Sequence, residues 1–196
     1  FGCNATQARA QQAERYVMKA VIDTNVLLVA NGQHTDVSED CVTECVTRLQ
    51  AMEKSGVTVI DDGYRILGEY QHKTQLTPPK GVGDVFLKWL LRNAGNSSHV
   101  EQIPLTETVS NYFDEFPDHA LQPNFDAPDR KFAAVAHAHT EKPPVWQAAD
   151  CKWLNWWPAL QAKGVNVEFL CPTDACQFYR NKFPNKPTPA LPSSKP

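Results

Sequence analysis

Four short apolar runs, each followed by a stretch of helical character, constrain this chain more than any other feature. They are VMKAVI at 17–22, VTVI at 57–60, PVWQA at 144–148 and VNVEFL at 165–170. Runs this short, and this rich in β-branched residues, read as buried strands of a parallel sheet. Between the first two, residues 38–55 carry Val42, Cys45, Val46, Leu49 and Met52 at helical spacing, with Ser38 at the start and Gly56 as a stop. A second helix is predicted from a cap at Asp61 or Asp62, carrying Tyr64, Ile66, Leu67 and Tyr70 and fading before the T-P-P-K-G turn. Further helices are expected over 84–93, 129–139, 153–163 and 173–183, and a leading one over 7–16. Strands alternating with helices predict an α/β fold, an αβα sandwich around a small, mostly parallel central sheet.

Three segments follow from this: a helical extension over 1–16, a domain over 17–183, and a Pro-rich tail over 184–196 expected to be disordered. Residues 75–128 read as an insertion over the domain, with a short helix around 106–116 and a polar loop holding Pro117, Pro123 and Pro128. A chain of 196 residues with 42% hydrophobic content is long enough for one such core. Its net charge of -3 argues against holding nucleic acid by bulk electrostatics, and leaves room for a local basic surface. No apolar stretch approaches the roughly 20 residues of a membrane span, and the first ten residues lack the basic start and apolar core of a signal. A soluble, cytoplasmic protein is expected, with no membrane partner. Its start at Phe1 reads as a processed or truncated terminus. The glycosylation-like triplets at Asn4 and Asn96 carry no weight without a secretory context.

None of the six cysteines forms a C-x-x-C pair, so reduced and mostly buried thiols are expected, with structural zinc as the alternative. Cys41 and Cys45 would share a helix face, while Cys171 and Cys176 flank the end of a late strand.

The acids carry the functional signal. Ligands of an open parallel sheet bind beyond the carboxyl ends of its strands. There the sequence puts Asp23, ending the first run, and Asp150, following the third. Asp129 starts the Ala-rich helix before that third strand, and Glu69 lies on the helix after the second. Four converging carboxylates would repel one another, and a divalent cation removes the conflict: hard Mg²⁺ or Mn²⁺ takes oxygen ligands and bridges phosphate oxygens. That predicts metal-assisted hydrolysis of a phosphodiester.

In order, V-I-D-T-N-V-L-L, G-E-Y, D-R-K-F-A-A-V-A and A-A-D before a helix resemble the PIN-domain nucleases over residues 18–183. The resemblance implies Mg²⁺ or Mn²⁺ dependence and cleavage of RNA, single-stranded or structured, less often of DNA. By the same resemblance Asp23, Glu69, Asp129 and Asp150 become metal ligands, directly or through water, while Thr24 or Asn25 orients them. A role as toxin or defence effector, an inhibitor protein and a homodimer belong to the same expectation. Ala148, Ala149 and Lys152 depart from the pattern, which bears on a second metal position. Asn25, Arg130, Lys131 and Lys152 are the candidate substrate contacts. Two other readings compete: a PIN-like nucleic-acid-binding module without catalysis, and a structure-specific DNA nuclease.

Each candidate also has a plainer reading. Asp23, Asp129 and Asp150 could only cap turns or helices, and Asp126 competes with Asp129. Glu69 could pair with Arg65 or Lys73, four residues away on either side. Trp146, Trp153, Trp156 and Trp157 could stack bases, although core packing is the stronger expectation. His137 and His139 read as satisfied or surface residues.

Overall fold

The computed structural model describes residues 17–193. The helix expected over 7–16 lies outside them. The central sheet contains β1 (Lys19–Ile22), β2 (Val57–Asp61), β3 (Val100–Ile103), β6 (Val145–Gln147) and β7 (Val167–Phe169). A separate hairpin holds β4 (Glu107–Val109) and β5 (Tyr112–Phe113). The helices are α1 (Thr24–Ala30), α2 (Glu39–Ser55), α3 (Arg65–Lys73), α4 (Val82–Asn93), α5 (Arg130–Ala138), α6 (Trp153–Ala162) and α7 (Pro172–Lys182). Sheet order is β3-β2-β1-β6-β7, and every pair in it is parallel. The fold is α/β, an αβα sandwich.

β1 is central, and Ala20, Val21 and Ile22 are fully buried in it. Chain order runs outward from β1 in both directions, so β1 and its neighbour β6 flank the switch point at which α/β sheets open a crevice beyond their carboxyl ends. Asp23 and Asp150 stand just past those two strands.

Local signals explain the helix starts. The Ser38 hydroxyl accepts from Cys41 N at 3.2 Å and opens α2. Tyr64 holds the N-cap position of α3 in left-handed conformation, and the buried Asp61 carboxylate at the end of β2 accepts from Arg65 N and Ile66 N, both at 2.9 Å. α1 was not apparent as a helix in the sequence: the apolar residues after Asp23 wind instead of extending, because the Asp23 Oδ1 accepts from Asn25 N at 2.9 Å. α4 then packs on α1 through Gly83, where an added Cβ would lie 2.2 Å from the Leu27 carbonyl oxygen.

Residues 75–128 differ from expectation in two places. β3 adds an edge strand to the main sheet, and the helix expected at 106–116 is the β4–β5 hairpin. Thr106, Thr108 and Val109 are β-branched and favour extended backbone. Asn111 supplies the left-handed turn at φ 59°.

Residues 184–193 form no helix or strand, and the Trp157 indole donates to the Ala190 carbonyl at 2.9 Å. Trp146, Trp153 and Trp156 are buried, so core packing accounts for them. Phe125 lies edge-on to Trp153 at 5.2 Å and against Trp156 at 4.1 Å. Trp157 is half-buried.

The cysteine expectation is corrected as well. Cys41 and Cys171, 130 positions apart, form a disulfide with their Cα atoms 5.1 Å apart, while Cys45, Cys151 and Cys176 are free. Tertiary proximity, invisible in the spacing, decides this pairing.

Near the amino end of β1 the charges are paired. Lys19 meets both Glu101, at 2.9 Å, and Glu141, and the His139 imidazole meets Glu101. His137 bonds the Glu115 carbonyl at 2.9 Å, so both histidines are satisfied.

Candidate functional site

At the carboxyl end of the sheet Asp23 has no ion-pair partner among the described residues. Asp23 is 5% exposed. Its Oδ1 caps α1, and its Oδ2 is buried without a hydrogen-bond partner. The capping reading is thus correct for one oxygen and leaves the other unexplained. Burial first, and then the charge of Asp129, push the Asp23 carboxyl well above its ordinary range, with Asp150 and Glu69 adding to the effect. Asp129 behaves alike: burial and then Asp150 push it up to about 7, and Lys131 pulls the other way. Although Asp129 occupies the cap position of α5, its side chain bonds no backbone N–H there.

The four expected acids therefore act on one another as like charges around Asp23. They do not form a tight cage. Among the described residues, the group of His, Cys, Asp or Glu side chains that brings ligand atoms within 4.8 Å of one another is Cys41, Cys45 and Cys171. Like charges repel, which keeps such carboxylates apart.

Cations reach the rim from the chain itself. Glu69 is bound by neither Arg65 nor Lys73. Its Oε1 accepts from the Thr24 hydroxyl and its Oε2 from the Lys131 ammonium, which also donates to the Pro128 carbonyl. Arg65 turns to Asp61 and Glu107 instead. Lys152 pairs with Asp126, while the Asp150 Oδ1 accepts from Lys152 N at 3.0 Å.

The candidate substrate contacts separate on this geometry. Arg130 is 5% exposed and donates to the carbonyls of Phe125, Asn111 and Pro123, with its guanidinium 4.2 Å from the Tyr112 ring centroid. It clamps the hairpin to the loop before α5 and faces no free phosphate position. Lys131 is equally buried, on Glu69. The Asn25 Oδ1 accepts from Ala148 N at 2.8 Å, tying α1 to the end of β6 and so fixing Asp23 beside Asp150. Lys152 remains partly accessible.

No family model, curated protein or solved structure matches this chain. Its functional reading therefore rests on its own residues.

Sequence reasoning expected Thr24 or Asn25 to orient the acids but did not reach the Lys131 end of the Thr24–Glu69–Lys131 chain, nor the Tyr70 hydroxyl, which donates to the Ile22 carbonyl beside Asp23. Thr24 lies beside Asp23 in sequence, but its partner is 45 positions away.

The raised Asp129 carboxyl fixes the sign of a pH effect. Its folded value of about 7 lies above the ordinary 3.8, so the unfolded chain ionises first as pH rises. The contribution of this group is complete below about 4 and is lost as pH climbs to 7. Metal-free protein is expected to unfold at lower urea concentration at pH 8 than at pH 5, and Asp129→Asn should flatten the difference. Urea titrations at the two pH values measure it.

Proposed function

We propose that the chain is a PIN-like, metal-dependent phosphodiesterase acting on RNA, with the site around Asp23. The observation that carries this reading is the Asp23 Oδ2, a buried carboxylate oxygen without a partner, facing the like charges of Asp129, Asp150 and Glu69. An unpaired buried charge is costly, and a divalent cation is the counter-ion that oxygen-only donors suit. Asp23, Asp129 and Asp150 would hold Mg²⁺ or Mn²⁺. Bound there, the ion supplies Lewis-acid stabilisation of phosphate oxygens and lowers the pKa of a water.

Glu69 has both oxygens occupied by Thr24 and Lys131, which favours a positioning role and a single ion. The Lys131 ammonium takes the place of a second cation. Lys131→Met should then raise the Mn²⁺ stoichiometry from one ion per chain to two in titration calorimetry, and an unchanged stoichiometry would count against this role. Lys152, on the more exposed side, is the residue free to turn from Asp126 to a substrate phosphate.

A cytoplasmic setting belongs to the same proposal, and the Cys41–Cys171 disulfide weighs against it, since such bridges persist in oxidising compartments and are rare in the cytosol. No helix of the described residues is long and apolar enough to cross a membrane.

The test is incubation with single-stranded RNA, single-stranded DNA and flap DNA, with and without Mn²⁺. RNA cleavage that needs the added ion supports the proposal. Cutting confined to flap DNA supports a structure-specific DNA nuclease instead. No Mn²⁺ binding in titration calorimetry, together with no cleavage of any of these substrates, supports the inert binding module.

A further inference from the structure

A second group of ligand atoms lies away from the acids. Cys41 and Cys45 are four apart on α2 and share its inner face, and Cys171 stands directly before α7. All three are buried, with their sulfurs within 4.8 Å of one another. The disulfide takes two, Cys41 and Cys171, and leaves the Cys45 Sγ 3.9 Å from the Cys171 Sγ. A cavity of about 500 Å³ opens beside them, lined in part by Ser38, Asp40, Glu44 and Asp174.

The Cys45–Cys171 separation fits a soft cation once the Cys41–Cys171 bond is opened. Around tetrahedral zinc, with Zn–S near 2.3 Å, neighbouring sulfurs lie about 3.8 Å apart. Cys41 is in the first turn of α2 and Cys171 borders the start of α7, so both sulfurs sit at positive helix ends that favour thiolate. Arg48 adds positive charge near Cys45. Disulfide exchange is the rival use of a third sulfur, and it needs Cys45 as a thiolate. Cys45 is fully buried, and burial in apolar surroundings makes a thiol inert. A coordinated metal deprotonates a thiol outright.

We propose that Cys41, Cys45 and Cys171, after reduction of the bridge, form a site for one thiophilic divalent ion, Zn²⁺ foremost, with the fourth position open to water or a carboxylate at the cavity. Two small-molecule thiols supply the two electrons and two protons, becoming one disulfide as Cys41 and Cys171 become thiols. Loading Zn²⁺ then releases the three thiol protons. The link between α2 and the β7–α7 corner is thus kept in both states, by a covalent bond in one and through the ion in the other. The soft sulfurs and the hard carboxylates select different metals, so the two sites are independent.

The experiment uses the full chain, reduced and freed of reductant under argon, titrated with Cd²⁺ and watched for thiolate-to-metal charge-transfer absorption, which carboxylates do not produce. The band should saturate at one ion per chain, be absent from the oxidised protein, and weaken at least tenfold in apparent affinity in Cys45→Ser. Zn²⁺ should also raise the thermal midpoint of the reduced protein and leave that of Cys45→Ala unchanged. Reduced protein without the band, a Cys45→Ser titration like wild type, or peptide mapping that finds Cys45 bridged to Cys171 would each overturn the proposal.

Discussion

Asp23→Asn is expected to lower Mn²⁺-dependent RNA cleavage by about 10²- to 10⁴-fold, the loss of several kcal/mol of stabilisation that a correctly held metal gives a phosphoryl transition state. Asp129→Asn should do the same. Both substitutions also remove a like charge from a crowded, partly dehydrated rim, so metal-free variants should unfold at higher temperature than the parent chain. That combination separates a site residue from a merely structural cap, whose loss would reduce stability. The Asp23 cap on Asn25 N survives in part, because the Asn side-chain oxygen can still accept that bond. Rates from a labelled oligoribonucleotide and melting curves in chelator measure the two halves. Undiminished cleavage in both variants would remove the proposed function.

Trp153→Ala has the largest expected effect on stability. The ring is fully buried beside Phe125 and Trp156, and truncating such an aromatic costs about 3–5 kcal/mol. In a domain of this size that lowers the melting temperature by roughly 6–20 °C. The loss should also reach the acids. Trp153 begins α6, just after Asp150, while Phe125 precedes the turn that carries Asp129. The Phe125–Trp153 contact thus holds the two carboxylates in register, and Mn²⁺ affinity should fall with stability. Calorimetry at a temperature where the variant is still folded separates the two effects.

Much of this fold was legible because burial and periodicity coincide. β1, β2 and β6 are short apolar runs buried in a parallel sheet, β7 is an edge strand whose apolar residues still stand out in V-N-V-E-F-L, and each is read correctly. β3 escaped because an edge strand needs only one covered face: V-E-Q-I alternates weakly and resembles loop. The β4–β5 hairpin escaped because its exposed residues carry no burial pattern. Asp23, Asp129 and Asp150 were recognisable from their places at element ends. The partners of Glu69 were not, because sequence offers only the near cations Arg65 and Lys73, whereas Lys131 lies 62 positions away. The same holds for Arg130, whose role as a clamp depends on three carbonyls that only the folded loop brings together.

The ion pairs of Lys19 give the molecule a further property. With Glu101, Glu141 and His139 gathered around Lys19 at one rim, each acid there has a partner, while at the opposite rim the Asp23 Oδ2 has none among the described residues. On the proposed reading, a small cation entering the crevice would meet an oxygen that no described side chain has claimed, with an attraction that fades as salt is added.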